Sequence, residues 1–576
     1  MKAILRGILF FLLCWPLFGI FDITPCDAAN NALQRRFAAP YASDIPFLVF
    51  PRYPRFTTDA SSFDVMSVQK TPYLPGDITP SSFTLPVPQK VSPTLSRAAK
   101  RRKLRPEERK PKEKTGITLD LDAGYGNGDT FISRFQHGTQ FKGAHYTISG
   151  HWEQTDGTTQ PQEEYVLAGK ASFNMDISKQ GELRFDGNFF SSDRELSQIV
   201  DKPNQKKSAI QAIADLRVNA STESPLRFTF SWERDIFTDY TEQEFFANCY
   251  RSDFVAKYLW GRYDTLTFQG QGMIQTVDAD EYDSELTVIA DTTLANTFVW
   301  RDMVVFEFGG RFAYSHAEEQ NATDSLLAPL SALRLRLGET TTFYVTYQPT
   351  LITPLFSDLY IKTLYTSLNS SLSAETRRHV VESGIQQRFG KTAALNVAAF
   401  YQEREHLIAL SDENLDYLLT YTQEASARFF GIKAGWQVHF LDQFVHALTY
   451  TYTDYEVTSR DFLLASEETF DQHHLPYQPH HHLQANLSWI APYGFKMDIS
   501  GLYVSEQYRN WQSVASTIGG RFSVNISFSQ AITDWAQVYA LVRNLTDTAA
   551  YEISPVLDNE EVTSSRMFLG GIRLRF

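Results

Sequence analysis

The last eleven residues of the chain alternate between two faces. A period of two predicts a β-strand. A strand that ends on an aromatic residue and alternates arginine with apolar residues suits a wall between lipid and water. An amphipathic strand of a soluble sheet is the alternative at this point. The two faces, read back from the carboxyl end, are Phe576, Leu574, Ile572, Gly570 and Phe568 against Arg575, Arg573, Gly571, Leu569 and Met567.

The same period recurs from Gly116 onward, interrupted by short sequences that favour turns. Ser178–Gly181 and 221–225 are examples of such turns, rich in Gly, Ser and Pro. Alternating strands joined by tight turns predict antiparallel hairpins. The clearest alternating runs lie at 117–125, 146–152, 165–177, 183–189, 210–218, 226–232, 304–314 and 522–528.

The other connections are longer and polar. Short turns at one end and long loops at the other are typical of outer-membrane barrels, and residues 116–576 have room for roughly 22 strands. We therefore predict an all-β fold, a transmembrane antiparallel β-barrel. An even number of strands places both ends of the barrel on the same side, with Gly116 and Phe576 in the periplasm. The predicted long loops are 239–250, 315–327, 351–375, 458–479 and 546–564.

Residues 1–28 have the pattern of a secretory signal peptide. Lys2 and Arg6 precede an apolar run that is too short to span a membrane comfortably. Small residues at the end of this segment predict cleavage after Ala28. The exported chain then retains one cysteine, Cys249, which excludes an internal disulfide framework.

Residues 29–115 show no strong period and are rich in proline, which predicts an extended segment in the periplasm or in the lumen of the barrel. Its last part, 100–114, carries nine Lys or Arg residues against three Glu. A solvated linker is one interpretation of this basic run. Contact with anionic lipid or cell-wall polymer is the other.

The overall composition is compatible with a barrel. The mean hydropathy of -0.29 has the value of a soluble protein, but in alternating strands the polar half of the residues masks the lipid-facing half. Aromatic residues make up 14% of the chain, as expected if they form girdles at both membrane interfaces. The net charge of -14 argues against a nucleic-acid partner.

Several short pieces of the barrel region, in their order and spacing, resemble the TonB-dependent receptors, which are outer-membrane transporters. This resemblance implies the barrel fold, passage of a ligand across the outer membrane of a Gram-negative bacterium, and a TonB-type energising partner. The pieces are 123–126, 146–157, 347–350, 356–360, 382–385, 399–401, 406–408, 450–454, 475–480, 542–547 and 570–576.

The chain also departs from that family. Family members have a plug domain before the barrel, and residues 29–115 contain none of its glycine- and arginine-containing strand motifs. Residues 64–68 resemble a TonB box only faintly. Because a barrel of this width is normally filled, we expect the lumen to be closed by residues 29–115, by the extracellular loops or by a separate plug or gating protein. The ligand, a small molecule, is not identified by the sequence.

A cluster of histidines is the most prominent local chemical signal. Neutral imidazoles this close together can bind transition metals or haem iron, and a structural or solvated role is the alternative. No other cofactor is indicated, and the absence of a nucleophile elbow, an HExxH motif or a phosphate loop argues against an enzyme. The candidate metal ligands are His473, His474, His480, His481 and His482.

We expect a barrel that transports or passes a ligand, in contact with outer-membrane lipid and inserted by the barrel-insertion machinery. A structural or conduit barrel in a multi-protein envelope complex and a passive porin are the alternatives. The terminal strand carries the expected assembly signal, formed by Phe568, Ile572, Leu574 and Phe576.

Overall fold

The computed structural model describes the chain from Ile117 to the carboxyl end, with gaps at connections. The predicted signal peptide and the segment 29–115 therefore lie outside the described residues. The gaps are 128, 142, 157–162, 179–180, 195–204, 219–225, 239–243, 260–263, 280–281, 301–302, 319–321, 339, 354–355, 357–371, 391, 412–419, 441–442, 461–474, 492–493, 509–516 and 548–565.

The described residues form a succession of β-strands. In chain order the first thirteen are β1 (Ile117–Gly126), β2 (Phe131–Phe141), β3 (Ala144–Asp156), β4 (Glu163–Ser178), β5 (Gly181–Arg194), β6 (Gln205–Val218), β7 (Leu226–Thr238), β8 (Glu244–Leu259), β9 (Asp264–Ala279), β10 (Tyr282–Trp300), β11 (Val304–Ala317), β12 (Ala322–Leu337) and β13 (Thr341–Tyr347). The remaining ones are β14 (Thr350–Ile352), β15 (Glu375–Arg377), β16 (Val381–Phe389), β17 (Ala393–Ser411), β18 (Thr420–Phe440), β19 (Phe444–Arg460), β20 (His481–Ile490), β21 (Phe495–Val504), β22 (Gln507–Tyr508), β23 (Thr517–Ile518), β24 (Arg521–Thr533), β25 (Ala536–Arg543) and β26 (Met567–Arg575).

The strands close into a barrel. All but β22 and β23 belong to one sheet of 24 described strands. Strands that lie side by side in the wall pair antiparallel, mostly in chain order, with β13 next to β16 and β21 next to β24. β26 pairs with β1, for example Leu574 with Leu121, so the sheet has no open end. Since β14 extends β13 and β15 leads into β16, the wall has 24 minus two, or 22, crossing segments. This confirms the predicted fold.

Alternation along the strands separates a lipid face from a lumen face. On β7, Leu226 and Phe230 point outward and are exposed, whereas Thr229, Ser231 and Glu233 point inward and are buried. On β26, Phe568, Ile572 and Phe576 are exposed, and Arg573 on the other face is half-buried. The period of two read from the sequence is thus the division between lipid and lumen.

The two ends of the barrel have unequal connections. The end that holds Ile117 also holds the chain terminus, where the backbone N of Leu119 donates to the carbonyl O of Phe576 at 3.0 Å. Connections at this end are short, such as 390–392 and 534–535, and the opposite end has long ones, including 461–480 and 544–566. No helix long and apolar enough to cross a membrane is present among the described residues.

Two of the predicted long loops are wrong. The loop predicted at 239–250 ends at 243 because β8 begins at Glu244, and the loop predicted at 315–327 shrinks to the connection between Ala317 and Ala322. In both places the strands extend further than expected. Phe245, inside the first predicted loop, is buried against Phe237 of β7, with ring centroids 6.2 Å apart. Packing inside the barrel thus prolongs strands whose sequence looks polar.

Candidate functional site: the lumen wall

A buried ionic cluster lies on the lumen face of β6 and β7. The guanidinium of Arg227 donates to both carboxylate oxygens of Asp215, each at 2.8 Å. Arg217 donates to the same carboxylate at 2.9 Å, and the Thr229 hydroxyl donates at 3.2 Å. Asp215 is 1% exposed. Because a buried carboxylate is costly unless its lone pairs are satisfied, this arrangement of donors is what makes Asp215 tolerable there.

The next strands continue the cluster. Asp253 of β8 stands opposite Thr229, and Gln271 of β9 stands opposite Asp253. Arg251 donates from Nε to Asp253 at 3.0 Å and from Nη2 to the Gln271 side chain at 3.1 Å. The charges therefore bind to one another along the wall, which links four strands and leaves little net charge to attract an ion.

A second ionic network crosses the line where the barrel closes. Arg573 of β26 donates to Asp122 of β1 at 2.9 Å, and Arg134 of β2 lies 3.7 Å from the same carboxylate. Arg134 also donates from Nε to Nδ1 of the buried His151 at 3.2 Å. Since an arginine Nε always carries its proton, Nδ1 is the acceptor and the neutral imidazole has its proton on Nε2. Nε2 lies 3.3 Å from Glu153.

This seam network continues on the far side of the closing line. Arg543 of β25 donates to Glu153 of β3 at 3.2 Å, a contact between strands separated by β26, β1 and β2. The network therefore holds together five strands on the lumen side of the closure. Because every charge in this network has a partner of opposite charge, the network stabilises the closure of the wall rather than binding a ligand.

Strands β14 and β15, which we call the inner hairpin, continue the β13–β16 pair toward the end with the long connections. β15 still pairs with β17 of the wall, whereas β14 lies against the lumen face of β11 and β12. The wall strand β13 ends at Tyr347, and β14 then pairs with β15 rather than with β12. Leu351 packs with Ala313 of β11, with Leu326 and Ala328 of β12, and with Ala374. These are lumen-facing positions, so the hairpin covers the inner surface of β11 and β12.

The chain leaving the inner hairpin reaches further across the wall. Phe356 is buried, and its backbone N donates to the side chain of Gln275 on β9 at 3.1 Å. Its ring meets that of Phe237 on β7 edge to face, with centroids 6.5 Å apart. Phe356 is thus seated on wall strands that three others, β10 to β12, separate from β13. Phe356 therefore covers part of the lumen face of β7 and β9.

The returning side of the hairpin has its own anchor. Arg377 donates to Glu375 at 2.6 Å, and Arg404 of β17 lies 3.6 Å from the same carboxylate. The guanidinium carbon of Arg404 is 4.2 Å from the centre of the Phe429 ring. Both side chains are buried, so this cation–π contact is shielded from water. The backbone N of Ala374 donates to Asp324 of β12 at 3.3 Å. Both ends of the hairpin are therefore fixed to the lumen wall.

The opposite part of the lumen wall has a different composition. On β20, β21 and β24 most inward positions carry hydroxyl or amide side chains, and they are half-exposed. Asn525 donates to Ser500 at 3.5 Å, and Ser488 donates to Asp498 at 2.5 Å. Such groups can donate and accept hydrogen bonds without carrying a charge. Apolar residues such as Leu502 and one ion pair, Lys496 with Asp498 at 3.0 Å, also lie on this face. The inward hydroxyl and amide side chains include Gln484, Asn486, Ser488, Ser500, Ser523, Asn525, Ser527 and Ser529.

The described histidines of the predicted cluster lie on both faces of the barrel wall. His480 stacks on the lumen-facing Tyr455, with ring centroids 4.8 Å apart, and its Nδ1 lies 2.9 Å from the carbonyl O of Thr453. His481 points outward, with Nδ1 2.9 Å from the hydroxyl of Tyr450. His482 stands opposite Thr451, on the face that His481 does not use.

These positions bear on the predicted metal site. Over the described part of the chain, no three His, Cys, Asp or Glu side chains come together as a metal site would require. His473 and His474 lie outside the described residues. A metal site that uses all five histidines stays a prediction.

Sequence reasoning missed the ionic clusters and the inner hairpin. The clusters do leave a signal, because their charges stand two residues apart on one strand face: Asp215 and Arg217, Arg251 and Asp253, Glu375 and Arg377. Charge pairs at this spacing in an alternating strand indicate a lumen face. The inner hairpin leaves almost no sequence signal, because strands of three residues are too short to show an alternating pattern.

Comparison with known proteins supports the fold through structure alone. No protein-family model matches the chain, and no curated protein is similar to it in sequence. Solved structures do match. The copper transporter OprC is 13% identical, with a TM-score of 0.61 over 80% of each chain. The siderophore receptor PiuA from Acinetobacter baumannii is 11% identical, with a TM-score of 0.62 over 80% of this chain and 82% of that one.

A third match comes from another organism. The FrpB iron transporter from Neisseria meningitidis is 10% identical, with a TM-score of 0.63 over 80% of this chain and 81% of that chain. The barrel thus has the fold of the receptor class that the sequence pieces resemble, which confirms that prediction. At these identities the likeness is one of fold.

Proposed function

We propose that this chain is an outer-membrane β-barrel that passes a small polar ligand across the outer membrane. The observation that carries the proposal is a closed barrel whose lumen wall is divided, with paired charges on one part and uncharged hydrogen-bonding groups on another. Solved proteins of the same fold are named as copper, siderophore and iron transporters or receptors. No catalytic step is part of the proposed function.

The orientation follows from the connections. Outer-membrane barrels turn tightly in the periplasm and carry their long loops outside. The end with the long connections, where β1 ends at Gly126, is then extracellular. The end that holds Ile117 and Phe576 is periplasmic. In this orientation a signal peptide at 1–28 directs export, and Phe568, Ile572, Leu574 and Phe576 form the signal that the insertion machinery reads.

Closure of the lumen is assigned to two parts of the chain. The inner hairpin with its Phe356 anchor narrows the extracellular side. Residues 29–115 precede β1 and so join the barrel at its periplasmic end. They act as a gate, alone or with a TonB-type energiser or a separate plug protein. A conduit barrel in a multi-protein envelope complex is the second candidate, because the sequence of that segment lacks the motifs of a receptor plug.

Single-channel conductance of the refolded mature protein in a planar bilayer tests the proposal. We expect a closed or weakly conducting full-length barrel that opens when residues 29–115 are deleted. Equal, large conductance in both forms would favour a passive conduit and would contradict gating by this segment. Free passage of large dyes into liposomes containing the full-length protein would contradict a closed lumen altogether.

A further inference from the structure

A groove lies on the lipid-facing side of the barrel, at the end of the closing seam where the long connections are. Its volume is about 530 Å³. The floor consists of Gly570 of β26 and Ala540 of β25, which stand side by side in the sheet register, and Tyr125 of β1 is the next residue in the same row. Tyr125 and Phe568 rise on its sides and are 60% and 49% exposed.

The polar groups of the groove are confined to its upper rim. Asn127 receives a hydrogen bond from the backbone N of Phe568 at 2.6 Å and donates from its side chain to the carbonyl O of Arg566 at 2.9 Å. Asp129 accepts a hydrogen bond from the hydroxyl of Tyr125. Below this rim the lining is apolar, which suits a hydrocarbon chain with its polar head at the top.

Gly570 has no steric reason to be glycine. At neighbouring glycines of the seam, a Cβ would collide with the structure: 2.3 Å from the carbonyl O of Phe568 at Gly126, and 2.4 Å from the ring of Tyr539 at Gly571. At Gly570 the nearest atom would be the carbonyl O of Tyr539 at 3.9 Å, an ordinary contact. Glycine weakens a strand and often marks a place where a ligand approaches the backbone closely.

We propose that this seam groove binds one acyl chain of a lipid A molecule in the outer leaflet. The groove is continuous with the lipid-facing surface, so a lipid chain is the molecule that meets it. The choice of lipid A rests on the extracellular orientation given under Proposed function. Since hydrocarbon surrounds the barrel everywhere, the preference for this position comes from close packing between Tyr125 and Phe568 rather than from the hydrophobic effect.

The test uses variants that fill the groove. Gly570→Leu and Ala540→Leu place a side chain on its floor. Gly310→Leu is the matched control, because Gly310 is also a lipid-facing glycine and its Cβ would meet its nearest atom, the carbonyl O of Ala328, at 4.0 Å. Each protein is refolded into vesicles of phosphatidylethanolamine with a minor fraction of lipid A and extracted in mild detergent. Bound lipids are then counted by native mass spectrometry.

We expect the wild type and Gly310→Leu to retain one lipid A, and both groove variants to lose its occupancy by about tenfold. Equal retention by all four proteins would overturn the proposal, and retention of phosphatidylethanolamine instead would overturn the choice of lipid A. If Gly570→Leu does not fold, Ala540→Leu gives the answer. Bilayer conductance should be the same in all folded variants, so failure of the transport proposal and failure of this one are distinguishable.

Discussion

On β6, β7 and β8 the lumen-facing side chains include many charges and are mostly buried, whereas on β20, β21 and β24 they are mostly uncharged and half-exposed. The charges of the charged part pair with one another: Asp215 binds Arg217 and Arg227, and Asp253 binds Arg251. On the neutral part, hydroxyl and amide groups bind to one another or to the backbone, as Asn525 does to Ser500 and to the backbone N of Asn544, and they remain half-exposed. The difference indicates that the most charged part of the lumen is its structural part, and we propose that a ligand passes along the part with the least charge.

The largest effect is expected from breaking the buried cluster. Asp215→Ala leaves two arginines without their shared carboxylate, and removal of one partner of a buried ion pair typically costs about 3–5 kcal/mol. Urea unfolding of the barrel refolded in vesicles, followed by tryptophan fluorescence, measures the change in free energy of unfolding. Asn525→Ala on the neutral part is the control. Equal losses for the two variants would remove the distinction between the two parts.

The Phe356 anchor comes next. Phe356→Ala removes a buried aromatic ring from its site against Phe237, with an expected loss of about 2–3 kcal/mol of burial energy. The inner hairpin then loses its attachment to β7 and β9, so single-channel conductance should rise. Phe430→Ala, a change on the lipid face, serves as the comparison and should leave conductance unchanged. If Phe356→Ala conducts like the wild type, the anchor does not limit passage.

At the seam we expect a smaller change. Asp122→Asn weakens the contacts to Arg573 and Arg134 and should lower the free energy of unfolding by about 1–2 kcal/mol. Asp120→Asn is a matched control on the same strand, because its partner Arg575 is exposed and exposed pairs contribute about 0–1 kcal/mol. Loss of heat resistance in gel mobility assays should follow the same order. The reverse order would show that burial does not set the strength of these pairs.

The smallest effect on stability is expected on the neutral part. Asn525 is half-exposed, so Asn525→Asp should change the free energy of unfolding by less than about 1 kcal/mol. If ions pass along this part of the wall in the form lacking residues 29–115, the new carboxylate should shift the reversal potential toward cation selectivity. Ser231→Asp, at a buried position of the charged part, should destabilise the barrel without that shift. A shift from Ser231→Asp alone would assign passage to the other side of the lumen.

The sequence predicted the barrel because the lipid-facing residues of the strands are mostly apolar and recur at every second position. Apolar side chains are favoured at lipid-facing positions such as Phe230 and Ile572, so the period of two persists along most of a strand that crosses the membrane. Beyond the membrane this constraint ends. That is why the start of β8 and the facing ends of β11 and β12 looked like loops although they are strands.

The interior was less predictable. Ionic clusters join residues on neighbouring strands, and the pairing of Asp215 with Arg227 depends on a register that the turn lengths alone do not specify. The inner hairpin depends on tertiary contacts made by Leu351 and Phe356, which no periodic pattern encodes. The histidine cluster is an exception, because the period of two already predicts that His481 and His482 face opposite ways, and β20 places them on opposite sides of the wall.

The closing seam also fixes the order of events in biogenesis. Asp120 and Arg575 are 455 positions apart, yet they pair across the final joint. Contacts between such distant residues form late, since the ends of a long chain meet slowly. The barrel therefore has no closed form until its last strand has been synthesised and exported, and every shorter product presents two open edges. A truncated chain is thus marked for aggregation or proteolysis by its own geometry.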